Sequence, residues 1–220
     1  MIIAAAVCPH PPMLVPEVAQ GAAPDLDELR RACDAAVQEL LAQDPQHIAV
    51  VGGGPPDRFW DHHAGGTLKS YGVDLHAGGD GNELDLGLTI GAWLLDRNSW
   101  TGSRAYATGE VDPKGRTALL VMADGTAKRN TEAPGYFDER AEGFDRLISD
   151  ALAAGDTPTL ANLDEELAAE LWSGGARPLR LLGRTTAAEI SKGASIAAQL
   201  RYNEAPFGVG YWVANWSLTR

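Results

Sequence analysis

The histidine at position 10 is the side chain of this sequence best placed to do chemistry. It follows an apolar run, residues 2–7, that predicts a buried strand of an α/β sheet. Pro9, Pro11 and Pro12 cannot donate hydrogen bonds to a neighbouring strand, so the strand must end here. Open α/β sheets bind ligands beyond the carboxyl ends of their strands. His10 is therefore a candidate ligand-binding residue, and the alternative is a turn histidine that caps the strand.

Asp124 occupies an equivalent position after a second predicted strand, residues 117–122. Asp124 is a candidate catalytic residue because it belongs to a motif that resembles one of a known family, given below. Lys128 and Arg129 follow it and would bind an acidic ligand there, although ion pairing at the surface explains these two residues equally well.

The segment 57–82 is predicted to be a long loop rich in Gly, His and Asp. Loops of this length inside a compact domain are usually functional or mobile. His62 and His63 are candidate metal ligands, with His76 further along the loop. Trp60 lies beside them in the sequence and is a candidate pocket residue for a flat ligand. The alternative is that the adjacent histidines are simply solvated.

Cys8 and Glu204 complete the set of candidate site residues. Cys8 precedes His10 by two residues, so strand alternation would aim both side chains the same way. Glu204 lies near the carboxyl end of a late predicted strand and would supply a carboxylate. The alternatives are a small core residue for Cys8 and a turn cap before Pro206 for Glu204.

Strands and helices alternate along the chain, which predicts a single α/β domain over residues 1–220. Besides the first strand, the predicted strands are 47–51, 104–108, 117–122, 195–202 and 209–216. The predicted helices are 24–41, 84–96, 137–154, 160–172 and 178–188. Gly174 and Gly175 are expected to end the helix 160–172.

Composition and charge restrict the class of protein. The 220 residues carry a formal net charge of −12 without an offsetting basic stretch, which argues against nucleic acid and anionic membranes as partners. No apolar run approaches the roughly 20 residues needed to span a bilayer, and no basic segment marks a signal peptide. Cys8 and Cys33 give no disulfide framework. We therefore expect a cytoplasmic protein.

Four segments together resemble the class III extradiol dioxygenase B-subunit superfamily, which includes the LigB-like and Memo-like proteins. In one-letter code they are PHPP at 9–12 with PE at 16–17, VVGGGP at 50–55, ADGTAKR at 123–129 followed by GYFD at 135–138, and NEAPFGVGY at 203–211. They occur in the family's order and span nearly the whole chain.

The resemblance implies a central mixed sheet flanked by helices, of the LigB-like (phosphorylase/hydrolase-like) kind, with a metal site at one end. In ring-cleaving members, two histidines and a carboxylate hold Fe(II), and a further histidine acts as acid/base. Two imidazoles and one carboxylate leave coordination positions open for catechol oxygens and O₂. His10 corresponds to the first metal-binding histidine.

This sequence departs from the family's pattern at the other functional positions. The second metal-binding histidine, which follows the second strand in a Pro-His pair, corresponds to Pro55. The acid/base histidine of an Asp-x-x-His segment corresponds to Ala127, although Asp124 is kept. The place of the third ligand corresponds to Gly174 or Gly175.

These departures lead to hypotheses of different classes. The first is a divergent homologue that no longer performs standard extradiol cleavage and binds a small, catechol-like molecule or a partner in the cleft. The second is an enzyme with a rebuilt Fe(II) or Zn centre, using His10 with His62 or His63 and with Cys8 or Glu204. The third is a protein-interaction module anchored by exposed tryptophans. A homodimer is expected from the superfamily and from the apolar C-terminal strand, which would pair at a sheet edge.

Overall fold

The computed structural model describes residues 1–220, which form nine strands and seven α-helices. The strands are β1 (Ile2–Cys8), β2 (His47–Val51), β3 (Phe59–Trp60), β4 (Gly65–Thr67), β5 (His76–Gly78), β6 (Ser103–Ala107), β7 (Thr117–Met122), β8 (Ser195–Glu204) and β9 (Tyr211–Thr219). The helices are α1 (Pro16–Ala19), α2 (Asp27–Ala42), α3 (Leu86–Arg97), α4 (Arg140–Ala154), α5 (Thr157–Ala161), α6 (Glu165–Glu170) and α7 (Ala176–Ile190).

Seven strands form one mixed sheet in the order β3-β6-β2-β7-β1-β9-β8, and β4 and β5 form a separate hairpin. The central strands β6, β2, β7 and β1 are parallel, whereas β3 and β9 run against their neighbours. Strands buried on both faces have continuous apolar sequences, as β1 and β7 have here. The α/β fold class with a mixed sheet flanked by helices is confirmed.

Side chains of each central strand alternate between two hydrophobic cores. In β1, Ala6 and Cys8 face the core formed with α2 and α3, whereas Ala5 and Val7 face the core formed with α4 to α7. The sheet therefore separates two helical layers, and the two-residue repeat of the strands decides which layer each side chain contacts.

The helix that follows β7 lies on the opposite face of the sheet from the helices that follow β1 and β2. After β1 and β2 it continues into α2 and α3 on one face, and after β7 it continues into α4 on the other. Because β7 lies between β1 and β2, the connections diverge at the carboxyl ends of these strands. Such switch points are where open α/β sheets bind ligands.

Most predicted elements are confirmed within a few residues, but three expectations are wrong. The loop 57–82 contains the short strands β3, β4 and β5. The helix predicted over 160–172 is divided into α5 and α6, because the Asp164 side chain caps a new helix by accepting hydrogen bonds from Glu166 and Leu167. The C-terminal strand lies between β1 and β8, so β8 rather than β9 forms the sheet edge.

None of the helices is both long and apolar enough to cross a membrane.

Candidate functional site

His10 and Asp124 meet at the switch point, directly beyond β1 and β7. The backbone N–H of His10 donates to Asp124 Oδ1 at 2.7 Å, and His10 Nδ1 lies 3.4 Å from the same oxygen. Nδ1 is buried and has no hydrogen-bond partner, since its N–H would not align with that oxygen. The side chains are 16% and 20% exposed, so both can still be reached from outside. The structure thus brings together two residues that the sequence separates by 114 positions.

Gly87 and Gly174 both neighbour the His10 imidazole. A Cβ at Gly87, in the first turn of α3, would lie 3.3 Å from His10 Cδ2, and a Cβ at Gly174 would lie 4.0 Å from its Nε2. Gly175 packs against the backbone of Asp124, so closely that a side chain there would clash. Gly174 and Gly175 therefore do not end a helix as predicted; α6 ends at Glu170, and the glycines form a wall of the site.

Tyr211 and Tyr202 are site residues that the sequence reasoning missed. Tyr211 pairs with Asp124 in an isolated β-bridge at the start of β9, beside a hydrogen bond that the Gly125 amide donates to the Gly210 carbonyl at 2.7 Å. Burial, and next the negative charge of Asp124, raise the pKa of Tyr211 well above its ordinary value. Burial, and next Glu204, raise the pKa of Tyr202 to about 12. Tyrosines are already neutral near pH 7, and the raised pKa values keep these two phenols able to donate hydrogen bonds at more alkaline pH.

Cys8 is fully buried beneath the site rather than open to a ligand. Its thiol contacts that of Cys33 in α2, and burial followed by this contact raises the pKa of Cys33 well above its ordinary value. The structure therefore favours the core-residue alternative for Cys8.

The loop after Asp124 is fixed by a buried carboxylate. Asp145 in α4 accepts hydrogen bonds from the Thr126 amide and hydroxyl, each at 2.9 Å, and pairs with Arg129 at 3.1 Å. Burial raises the pKa of Asp145 in spite of these contacts. Because Arg129 forms this ion pair with Asp145, ion pairing explains Arg129 better than the binding of an acidic ligand does.

Three exposed aromatic residues border the same loop with left-handed backbone conformations. Tyr136, Trp172 and Phe207 have φ angles of 61°, 56° and 57°. Bulky residues rarely adopt this region, and such outliers cluster at functional sites. The Lys128 ammonium lies 5.6 Å from the Trp172 ring centroid. The surface beside Asp124 is therefore built around strained, solvent-facing aromatic side chains.

Glu204 is not joined to His10. It pairs with Tyr211 across β8 and β9, and Tyr211 in turn bridges to Asp124, so Glu204 lies two strand spacings, roughly 10 Å, from Asp124. Its exposed side chain lines a separate cavity of about 320 Å³ with Arg129 and Arg146.

Trp60, His62 and His63 lie at the far side of the sheet from His10. Trp60 pairs with Tyr106. The register through β2 and β7 aligns Tyr106 with Ala6. Four strand spacings separate Trp60 from Ala6, roughly 19 Å. Since β3 runs antiparallel to β6, His62 and His63 continue away from the carboxyl edge.

The donors around His10 do not fit the metal centre that the resemblance implies. Asp61, His62 and His63 form the one group of three metal-ligating side chains with all donor atoms within 4.8 Å of one another, and His10 belongs to no such group. Asp124 offers one carboxylate, and Gly174, which also neighbours the imidazole, has no side chain to offer. The site around His10 therefore lacks the two-histidine, one-carboxylate set.

A groove runs along the strand ends next to His10. Its nearer part has a volume of about 260 Å³ and is lined by Gly53, Gly54, Ser173 and Gly174 among others. It adjoins a larger cavity of about 550 Å³, and Arg177 lines both. Gly174, which lines this groove, also neighbours the His10 imidazole, whereas neither His10 nor Asp124 lines either cavity.

Neither the protein-family models nor the curated proteins compared with this chain give a match.

Proposed function

We propose that this protein is a divergent relative of the LigB-like extradiol dioxygenases that binds a small, catechol-like molecule at the carboxyl edge of its sheet. His10 and Asp124 hold the ligand, and the chain does not perform standard ring cleavage. The observation that carries the proposal is the contact of His10 with Asp124 at the switch point, where the backbone N–H donates at 2.7 Å.

The polar groups at this edge have complementary roles toward a phenolic ligand. The imidazole of His10 accepts or donates a hydrogen bond through Nε2, the nitrogen on the side of Gly174. Asp124 places a carboxylate oxygen 3.4 Å from His10 Nδ1. Tyr211 is a neutral phenol near pH 7, as any tyrosine is, and burial and Asp124 raise its pKa further. This set can bind a hydroxylated ring and exchange a proton with it.

The absence of ring cleavage follows from the donor set. Fe(II) oxygenases of this kind need two imidazoles and a carboxylate on one face of the metal. At the family's remaining positions the chain carries Pro55, Ala127 and Gly174, whose side chains have no donor atoms. The rebuilt centre that combines His10 with His62 or His63 is disfavoured because Trp60, two residues before His62, lies four strand spacings, roughly 19 Å, from Ala6 in the strand that leads to His10.

Calorimetric titration with catechol and with a catechol carboxylate tests this proposal. We expect binding to the wild-type protein and a loss of at least about tenfold in affinity for His10→Ala and Asp124→Asn, since each removes a polar group from the ligand. His47→Ala, at the opposite end of the sheet, is the matched control and should bind as the wild type does. Unchanged binding by both site variants, or no binding by the wild type, would overturn the assignment.

A further inference from the structure

Asp61, His62 and His63 form a compact set of donors that the site around His10 does not use. One ligand atom from each residue lies within 4.8 Å of the other two. The two imidazole rings stack with centroids 4.0 Å apart and planes inclined by 38°. Three donors at this spacing can reach one ion after small side-chain rotations, because metal–ligand bonds of about 2.0–2.2 Å place donors about 3 Å apart.

The backbone of this tripeptide is fixed on both sides. Asp61 Oδ1 accepts a hydrogen bond from the His63 amide at 2.9 Å, which closes a tight turn. The His63 carbonyl accepts from the Gly81 amide at 2.9 Å, at the end of the β4–β5 hairpin. Gly79 packs against the carbonyls of His62 and His63, so closely that a side chain there would clash. The donors are thus held on an ordered turn.

The donor types select a class of ion. Two imidazoles and a carboxylate suit Zn²⁺, Co²⁺ or Fe(II), and leave positions that water can fill. All three side chains are exposed, so an ion can enter without opening the fold. The chain's net charge of −12 also favours the approach of cations.

We propose that Asp61, His62 and His63 form a binding site for one divalent first-row transition-metal ion, separate from the ligand site at His10. The site holds the ion through three protein donors, with water in the remaining positions. It differs from the rebuilt centre considered above, because His10 contributes nothing to it.

Titration with Zn²⁺ alone, followed by calorimetry, and with Co²⁺ alone, followed by visible absorption, tests this site. The variants are His62→Ala, His63→Ala and Asp61→Asn; asparagine keeps the turn hydrogen bond but loses the charge. We expect one equivalent of metal for the wild type and a loss of about tenfold or more in affinity for each variant. Circular dichroism verifies that each variant is folded.

His10→Ala is the control that separates this site from the proposed function. Full metal binding by His10→Ala together with loss in His62→Ala supports the site, whatever the catechol titration shows. No binding of Zn²⁺ or Co²⁺ by the wild-type protein, or equal binding by His62→Ala and His63→Ala, would overturn it. Loss of metal only in His10→Ala would overturn it as well.

Discussion

At the scale of single residues, the candidate site depends on one carboxylate with several neighbours. Asp124 accepts a hydrogen bond from the His10 amide, and its Oδ1 lies 3.4 Å from His10 Nδ1. Its charge also lies near the phenol of Tyr211. The same carboxylate thus accepts the hydrogen bond of the His10 amide and contributes to the raised pKa of Tyr211.

Removing that charge should change the titration of Tyr211. A nearby negative charge disfavours phenolate, so Asp124→Asn should lower the pKa of Tyr211 toward its ordinary value. Tyrosinate absorbance in an alkaline titration measures this, and subtracting the Tyr211→Phe curve isolates the residue among five tyrosines. Asp150→Asn on the exposed face of α4 is the control. Identical curves for wild type and Asp124→Asn would contradict this role.

At the scale of elements, β9 connects the site to the helical layer behind the sheet. Tyr211 at its first position faces the site, whereas Trp216 is fully buried against α4. The Trp216 indole N–H donates to the Leu152 carbonyl at 2.8 Å. The position of β9 against α4 is therefore fixed by the packing of Trp216 and by this hydrogen bond.

Trp216→Phe should destabilise the protein. The change leaves a cavity and an unpaired buried carbonyl, which together cost about 2–4 kcal/mol. Chemical denaturation measures the free energy of unfolding. Trp172→Phe is the matched control, since Trp172 is 58% exposed, and its effect should stay within about 0.5 kcal/mol. Equal effects of the two substitutions would show that the contact with α4 contributes little.

The sequence is informative where an element is determined locally. The apolar runs of β2 and β7 predict their bounds correctly, because buried parallel strands leave little choice of residue. α5 and α6 are separate helices because the Asp164 side chain caps α6. The helical spacing of the apolar residues does not indicate this cap. Positions after strands indicate His10 and Asp124. By contrast, Tyr211 enters the site only because β9 returns beside β1, which no local pattern reveals.

At the scale of the whole molecule, the sheet ends in a long strand without a further partner. β8 spans ten residues and pairs with β9 alone. An unpaired edge of this length can join another chain. The predicted homodimer would therefore form through β8, and not through the internal C-terminal strand.

Light scattering on the intact protein tests the dimer. We expect twice the chain mass of 23.3 kDa for the wild type. The double variant Ala197→Lys with Gln199→Lys should be monomeric, because it brings like charges together along the edge while both positions are exposed in the single chain. A wild-type monomer at high protein concentration would contradict the prediction.

Oxygen consumption with catechol and Fe(II), measured on protein prepared anaerobically, tests the central claim most directly. We expect no uptake above the protein-free blank that depends on His10, because His10 and Asp124 lack a second imidazole for a ring-cleaving iron. His10→Ala should give the same trace as the wild type. Catalytic uptake by the wild type that disappears in His10→Ala would contradict the account and show a working dioxygenase centre at the switch point.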